Sequence, residues 1–273
     1  MKLFLSGLRK LIRRQATWLT FGLLAGLLVL IVIAVGATSD RPNASPAERA
    51  AALSLVTFPG AYDQILRFIL GLGGLFAVVF GAAIAGSEWT WGTLKNAVAR
   101  GQSRSYYALV SFASIAFMIA IGLLLTFAVG VVAAVIGANL AGISTAGLTE
   151  ADTLGRLPEQ FARGGLAIIM EGAIGFAIAT LARSQLAGIG AGIGLYFAST
   201  FAAIFLPDVV KFLPFSVATA SVATGPAPAA GFGGGGQQLP ALGANVALLF
   251  VVIWLVVALA VAALFTERAE ISG

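Results

Sequence analysis

The sequence predicts an all-α, polytopic membrane protein: six transmembrane helices, an N-terminal in-plane amphipathic helix, and both termini in the cytoplasm. Three observations lead there. Of 273 residues, 59% are hydrophobic and only 10% charged, against about 25% charged in soluble domains. Six apolar segments approach or exceed the roughly 20 residues that cross about 30 Å of hydrocarbon. The 34 glycines suit membrane helices, where small residues let backbones approach. The whole chain, 1–273, reads as one transmembrane domain in the bilayer, with a bacterial plasma membrane as the expected location.

The elements follow in order. Residues 2–15, KLFLSGLRKLIRRQ, are amphipathic at helical period, with Phe4, Leu8, Leu11 and Ile12 on one face and Lys2, Arg9, Lys10 and Arg13 on the other. Such a segment lies in the inner leaflet with its basic face toward anionic headgroups, or serves only as a positive flank to the first span. The spans are expected at Trp18–Val35, Ile65–Ala85, Ala108–Gly137, Gly164–Ala182, Leu186–Leu206 and Asn245–Phe265. Between Arg104 and Glu150 there is no charge. Two short spans fit that stretch, but it has no central Pro or polar turn, and one long tilted helix fits better.

Charge placement fixes the parity. With six spans, Lys2, Arg9, Lys10, Arg13, Arg14, Lys95, Arg100, Arg104, Arg183 and Arg268 fall inside. Arg41, Arg49, Arg67, Arg156, Arg163 and Lys211 fall outside, among most of the acidic residues. A split third span would move Arg183 and Arg268 outside and weaken this positive-inside bias. The net charge of +5 therefore reads as membrane orientation rather than nucleic-acid binding. The outer loop from Asp40 to Thr57 contains the sequon Asn43-Ala44-Ser45, which Pro46 follows. Residues 207–244 read as an outer interfacial or re-entrant piece broken by Pro207 and Pro214, then a flexible Gly-rich loop.

Several chemistries are excluded. There is no cysteine and no histidine, which removes thiolate chemistry and the commonest general base and metal ligand. There is no G-x-x-x-x-G-K-[ST] sequence to cradle a nucleotide triphosphate, and no acidic pair within a span. The chain is expected to bind no cofactor or metal. The run Gly188, Gly190, Gly192, Gly194 superficially resembles a dinucleotide loop, but it lies in mid-membrane with no preceding strand. A helix-packing seam is expected there, and another at Gly22 and Gly26.

Two features carry functional expectations. Glu171, in AIIMEGAIGF, lies inside the fourth span, where a charge costs about 2.5–3.5 kcal/mol on insertion scales. It either contacts substrate or ions in a translocation path, or is hydrogen-bonded to a neighbouring helix. Asp63 and Arg67, four residues apart, read as a helix-surface ion pair. The second feature is GSEWTWGTLKNAVARGQSR, Gly86–Arg104, expected between the second and third spans. Ser87 is a candidate cap for a helix of about ten residues, with Glu88 in its first turn and Gly101 as its stop. That helix would present Trp89, Trp91, Thr93 and Leu94, with Ser103 capping the next span. An ordinary interfacial loop with Trp at the headgroups fits the same residues.

The order Glu88, Gly92, Thr93, Leu94, Lys95, Ala99, Arg100, Arg104 resembles a signature of ATP-binding-cassette exporter permeases of the type-2 class. The likeness extends to the basic N-terminal helix, the six spans, LARS (Leu181–Ser184) and an outer LPF (Leu213–Phe215), though only the Glu88–Arg104 motif is specific. Members often carry Pro near Gln102 and a Lys early in the third span, where this chain has Tyr106, Tyr107 and Ser111. The resemblance implies that this loop is a coupling helix seated in a separate P-loop ATPase. Glu88 and its helix would transmit nucleotide-driven closure to the spans. It also implies two permease chains, identical or homologous, and two ATPase subunits that hold ATP and magnesium. The rival expectation is a stand-alone secondary transporter or channel that uses Glu171 as its ion-coupling group. A third is a non-transporting membrane anchor for an ATPase.

Overall fold

The computed structural model describes residues 2–38, 46–222 and 242–269. The sequon at Asn43 and most of the expected Gly-rich loop lie outside the described residues. Among those described, the chain is helical without strands. In order come α1 (Lys2–Ile12), α2 (Gln15–Ala37), α3 (Pro46–Leu53), α4 (Gly60–Thr90), α5 (Thr93–Ala99) and α6 (Arg104–Leu140). A 3-10 turn, Ala146–Thr149, leads into α7 (Ala151–Ala182). Then follow α8 (Gln185–Phe205), α9 (Pro207–Val210), α10 (Pro214–Ser221) and α11 (Ala244–Arg268).

Five of these, α2, α4, α6, α7 and α11, are long and apolar enough to cross a membrane. The expected span Leu186–Leu206 falls on α8, a helix of 21 residues. The uncharged stretch after Arg104 is one continuous helix of 37 residues, about 55 Å long at 1.5 Å per residue. The fourth expected span is part of a longer helix. α7 begins at Ala151 rather than Gly164 and runs through Asp152, Arg156, Pro158 and Glu159. Its first half is too polar to register as membrane-spanning but helical all the same.

α4 and α7 form the spine of the bundle. Where they cross, backbone lies nearly on backbone. A Cβ on Gly81 would collide with the Gly172 carbonyl, and one on Gly175 with the Val78 carbonyl. A similar contact joins α2 to α6 at Gly36 and Gly137. These are the close approaches that small residues permit in an apolar medium, where packing rather than water exclusion drives association. The glycines expected to pack divide. Gly188 meets Ala179 and Gly192 meets Val78, but a Cβ on Gly22, Gly26, Gly190 or Gly194 would have no heavy atom within 4 Å. Among the described residues those four line no helix seam.

α10, within the piece expected to be interfacial or re-entrant, is a short buried helix. Pro214, Phe215, Val217, Ala218 and Ser221 are buried, Phe215 packs edge-on to Tyr196 with ring centres 5.0 Å apart, and the Trp254 indole donates to the Phe212 carbonyl at 2.9 Å. At the same end Arg163 donates to Glu159 at 2.9 Å and to Asn245 at 2.8 Å, tying α7 to α11. Gln160 donates to Asp63 at 3.1 Å, tying α7 to α4.

Candidate functional site

The opposite end, where α1, the α4–α5 turn, the start of α6, the α7–α8 turn and the end of α11 meet, carries a dense polar cluster. Glu88 is at its centre. Helix α4 does not stop at Ser87 but runs on to Thr90. Ser87 therefore caps nothing. It lies in the last turns of α4, buried, its hydroxyl donating to the Ile84 carbonyl at 2.7 Å and accepting from Arg14 at 2.8 Å. The expected ten-residue helix is instead α5, seven residues from Thr93, preceded by Gly92 at φ +64°. That left-handed value suits glycine.

The stop at Gly101 follows the sequence. At φ +82° it donates to Val98 at 2.9 Å, while Gln102 donates to Ala97 at 3.2 Å. These are the two bonds of a Schellman cap.

Glu88 is only 7% exposed. Its carboxylate accepts from the Lys10 ammonium, the Thr93 hydroxyl and the Tyr107 hydroxyl, the last at 2.6 Å. One side chain of α4 thereby binds α1, α5 and α6. Removing it would strand a partly buried cation and two hydroxyls, and charge-assisted bonds of this kind are each worth about 1.5–3 kcal/mol. Beside it the Arg14 guanidinium lies 4.6 Å from the Trp91 ring centre. Burial lowers the Arg14 pKa from its ordinary value, and the Glu88 charge opposes that shift.

Two further clamps close the cluster. Arg183, at φ 50° at the C-terminal cap of α7, lies 5.3 Å from the ring centres of both Trp89 and Phe265. Arg104 donates to the Ala269 carbonyl at 2.6 Å, while Glu267 accepts from the Ser105 amide at 3.1 Å. The start of α6 and the end of α11 thus cap each other. A carboxylate meets the amides at one end and a guanidinium the carbonyls at the other, as helix dipoles favour. Ser103 occupies the N-cap position of α6, but its side chain makes no capping bond.

The residues of the sequence motif therefore divide into two sets. Glu88 and Leu94 are buried, Trp89 and Thr93 partly so, and Arg104 faces the end of α11. Trp91, at 62% exposure, projects outward with Lys95, Asn96 and Arg100. Lys10, Arg14, Tyr107 and Arg183 complete the cluster and were not singled out by the motif. A hydroxyl one turn into the span after the motif, Tyr107, was the available signal.

α1 is rotated slightly from the expected face. Phe4 and Leu11 pack inward, Phe4 edge-on to Phe117 at 5.9 Å. Ile12 is exposed, and Lys10 leaves the basic face for Glu88.

Glu171 lies far from this cluster, in mid-α7, and is 2% exposed. Its carboxyl rests against Gly74 of α4 so closely that a Cβ there would overlap it. Among the described residues Oε2 has no hydrogen-bond partner. Tyr196, on α8, commits its hydroxyl proton to the Gly71 carbonyl at 2.6 Å. A shallow apolar groove between α2, α4, α6 and α7, lined by Phe21, Leu24, Phe76, Ile119 and Ile168 with Thr20 at its polar edge, does not include Glu171. Among the described residues no group of three potential metal ligands gathers.

The fold and this cluster define an all-helical protein with several helices able to cross a membrane and a polar joint at one end of the bundle. Residues 53–263 match the model of a family described as "Protein of unknown function (DUF2705)", and the chain belongs to that family. The match begins within α3, so α1 and α2 lie outside it. No curated protein matches the chain.

Proposed function

We propose that this chain is the permease subunit of an ATP-driven exporter, catalysing no covalent chemistry itself. The observation that carries the reading is the division of the Glu88–Arg104 segment. α5 is held against the bundle by buried Glu88 and Leu94, while Lys95, Asn96 and Arg100 face away from it and Trp91, though in contact with Arg14, keeps most of its surface exposed. A short helix fixed on one side and presented on the other suits docking into a partner ATPase. In this reading α8 is the sixth span, both termini and the polar joint are cytoplasmic, and the membrane is a bacterial plasma membrane. Two permease chains, identical or homologous, enclose the path, and two P-loop ATPase subunits hold ATP and magnesium. ATP-driven closure of the ATPases moves α5, and the joint passes that movement to α4 and α6.

Within this reading one role moves. Glu88, being buried, is a positioning residue, and the contact with the ATPase belongs to Trp91, Lys95, Asn96 and Arg100.

The test is gentle purification of the tagged chain from its host, followed by identification of bound proteins and assay of ATP hydrolysis. A stoichiometric P-loop partner, lost from a Trp91→Ala/Arg100→Ala variant and uncoupled from transport in Glu88→Ala, is the expected result. A chain that emerges alone under every mild condition overturns the reading.

The second reading, a stand-alone secondary transporter or channel, is favoured by one observation, the buried and incompletely partnered carboxyl of Glu171. It predicts transport by the purified chain alone that Glu171→Gln abolishes. In the permease reading, Glu171→Gln leaves assembly with the ATPase intact.

A further inference from the structure

The side chains of α1 and its following turn divide among three surroundings. Phe4, Leu8 and Leu11 face the bundle. Leu5 and Ile12, 56% and 49% exposed, face outward, as does Trp18 on the first turn of α2. Lys2, Arg9 and Arg13 are exposed as well, and among the described residues no carboxylate forms an ion pair with them. Exposed apolar and basic side chains alternating along one outward surface match the boundary between acyl chains and anionic headgroups. An acidic protein surface offers no counterpart for Leu5 and Ile12.

The residues next in sequence to the two arginines do something different. Lys10, following Arg9, grips Glu88, while Arg14, following Arg13, grips Ser87 and stacks on Trp91. The elbow between α1 and α2 is pinned, because the Thr17 hydroxyl and the Trp18 indole each donate at 2.7 Å to the last carbonyls of α1, those of Leu11 and Ile12. These bonds satisfy acceptors that a helix end leaves open and fix the angle at which α1 leaves the bundle.

We propose that the outward side of α1, Lys2, Arg9 and Arg13 flanked by Leu5 and Ile12, binds the headgroups of anionic phospholipids, and that this binding steadies the α4–α5 turn through Lys10 and Arg14. It rests on α1 lying in the bilayer surface, as the amphipathic pattern of residues 2–15 suggests, and not on an ATPase partner. Headgroups held by Arg9 and Arg13 fix α1, and α1 carries Lys10 to Glu88. In a neutral bilayer α1 loses that hold and the joint loosens.

The experiment uses the full chain, without any ATPase, in nanodiscs of phosphatidylcholine with and without phosphatidylglycerol. It reads hydrogen exchange of the 90–99 backbone and the phosphatidylglycerol retained by the protein. Phosphatidylglycerol is expected to slow exchange there several-fold. Arg9→Gln/Arg13→Gln should abolish that response and weaken retention about 5-fold for each arginine lost. Lys10→Gln should retain the lipid but lose the response. Arg268→Gln, which removes an exposed charge at the end of α11, should keep both. Equal exchange in the two lipids overturns the proposal, as does a response that survives in Arg9→Gln/Arg13→Gln or Lys10→Gln. Equal loss in Arg268→Gln shows that net charge alone attracts the lipid and overturns it too. Because no ATPase is present, failure here is distinct from failure of the permease reading.

Discussion

Two buried glutamates in this bundle have opposite surroundings. Glu88, in the last turn of α4, receives three donors from three other elements. Glu171, in the middle of α7, rests on a glycine, and among the described residues its Oε2 has no partner. The first is a joint whose geometry is over-determined. The second marks a place where the helices are close but the polar bonding is incomplete, which is where a rearrangement of the bundle has a new bond to gain. Burial alone therefore does not distinguish a fully bonded carboxylate from an incompletely bonded one, but the partner list does.

The contrast is open to direct tests. Glu88→Ala should have the largest effect, about 3 kcal/mol or more of stability lost in detergent unfolding, because it strands Lys10 and two hydroxyls. A loss under 1 kcal/mol would mean that the joint does not hold the loop. Gly74→Ala should cost about 1–3 kcal/mol by forcing the Glu171 carboxyl aside. Adding Glu171→Ala should recover part of that cost in a double-mutant cycle, whereas strict additivity would dissolve the contact. Tyr107→Phe, deleting one hydrogen bond to a carboxylate, should cost about 1.5 kcal/mol. Smallest of all, Glu171→Gln should change stability by less than about 1 kcal/mol, since it keeps the shape and no ion pair is lost. A larger loss would reveal a bond to Glu171 that these surroundings do not provide.

Much of the helix pattern was legible in the sequence because length and apolarity report spans locally. The long helix after Arg104 and the stop at Gly101 are examples, the latter because a left-handed cap is a local demand for glycine. The start of α7 was hidden because its first half carries charge, which a hydropathy argument treats as loop. Ser87 looked like a cap because Ser followed by Glu is a common helix start. The competing claims came from Arg14 and Lys10, more than 70 positions away in the chain, and no periodicity reports such a meeting. The glycine seams failed for a related reason. The conspicuous run on α8 is half unpacked, whereas Gly81, Gly172 and Gly175 bring α4 and α7 together, and only the partner helix reveals which glycines are needed. The position of Glu171 inside a span was readable, but its bed on Gly74 was not.

α4 has a mechanical consequence beyond its bonds. It runs unbroken for 31 residues from Gly60 to Thr90, a rod of about 46 Å. A rod tilted by about 5° about its middle moves each tip by about 2 Å, in opposite directions. At one tip sits Glu88. At the other, Tyr62 donates to the Leu148 carbonyl at 2.7 Å and Asp63 accepts from Gln160 at 3.1 Å, bonds that a 2 Å shift breaks. Were α4 to tilt as one rigid rod, its two ends would act as the arms of a balance beam: a push that swings the joint would also release the far latch, and a cross-link across Tyr62 and Leu148 would then hold Glu88 from the other side of the bundle.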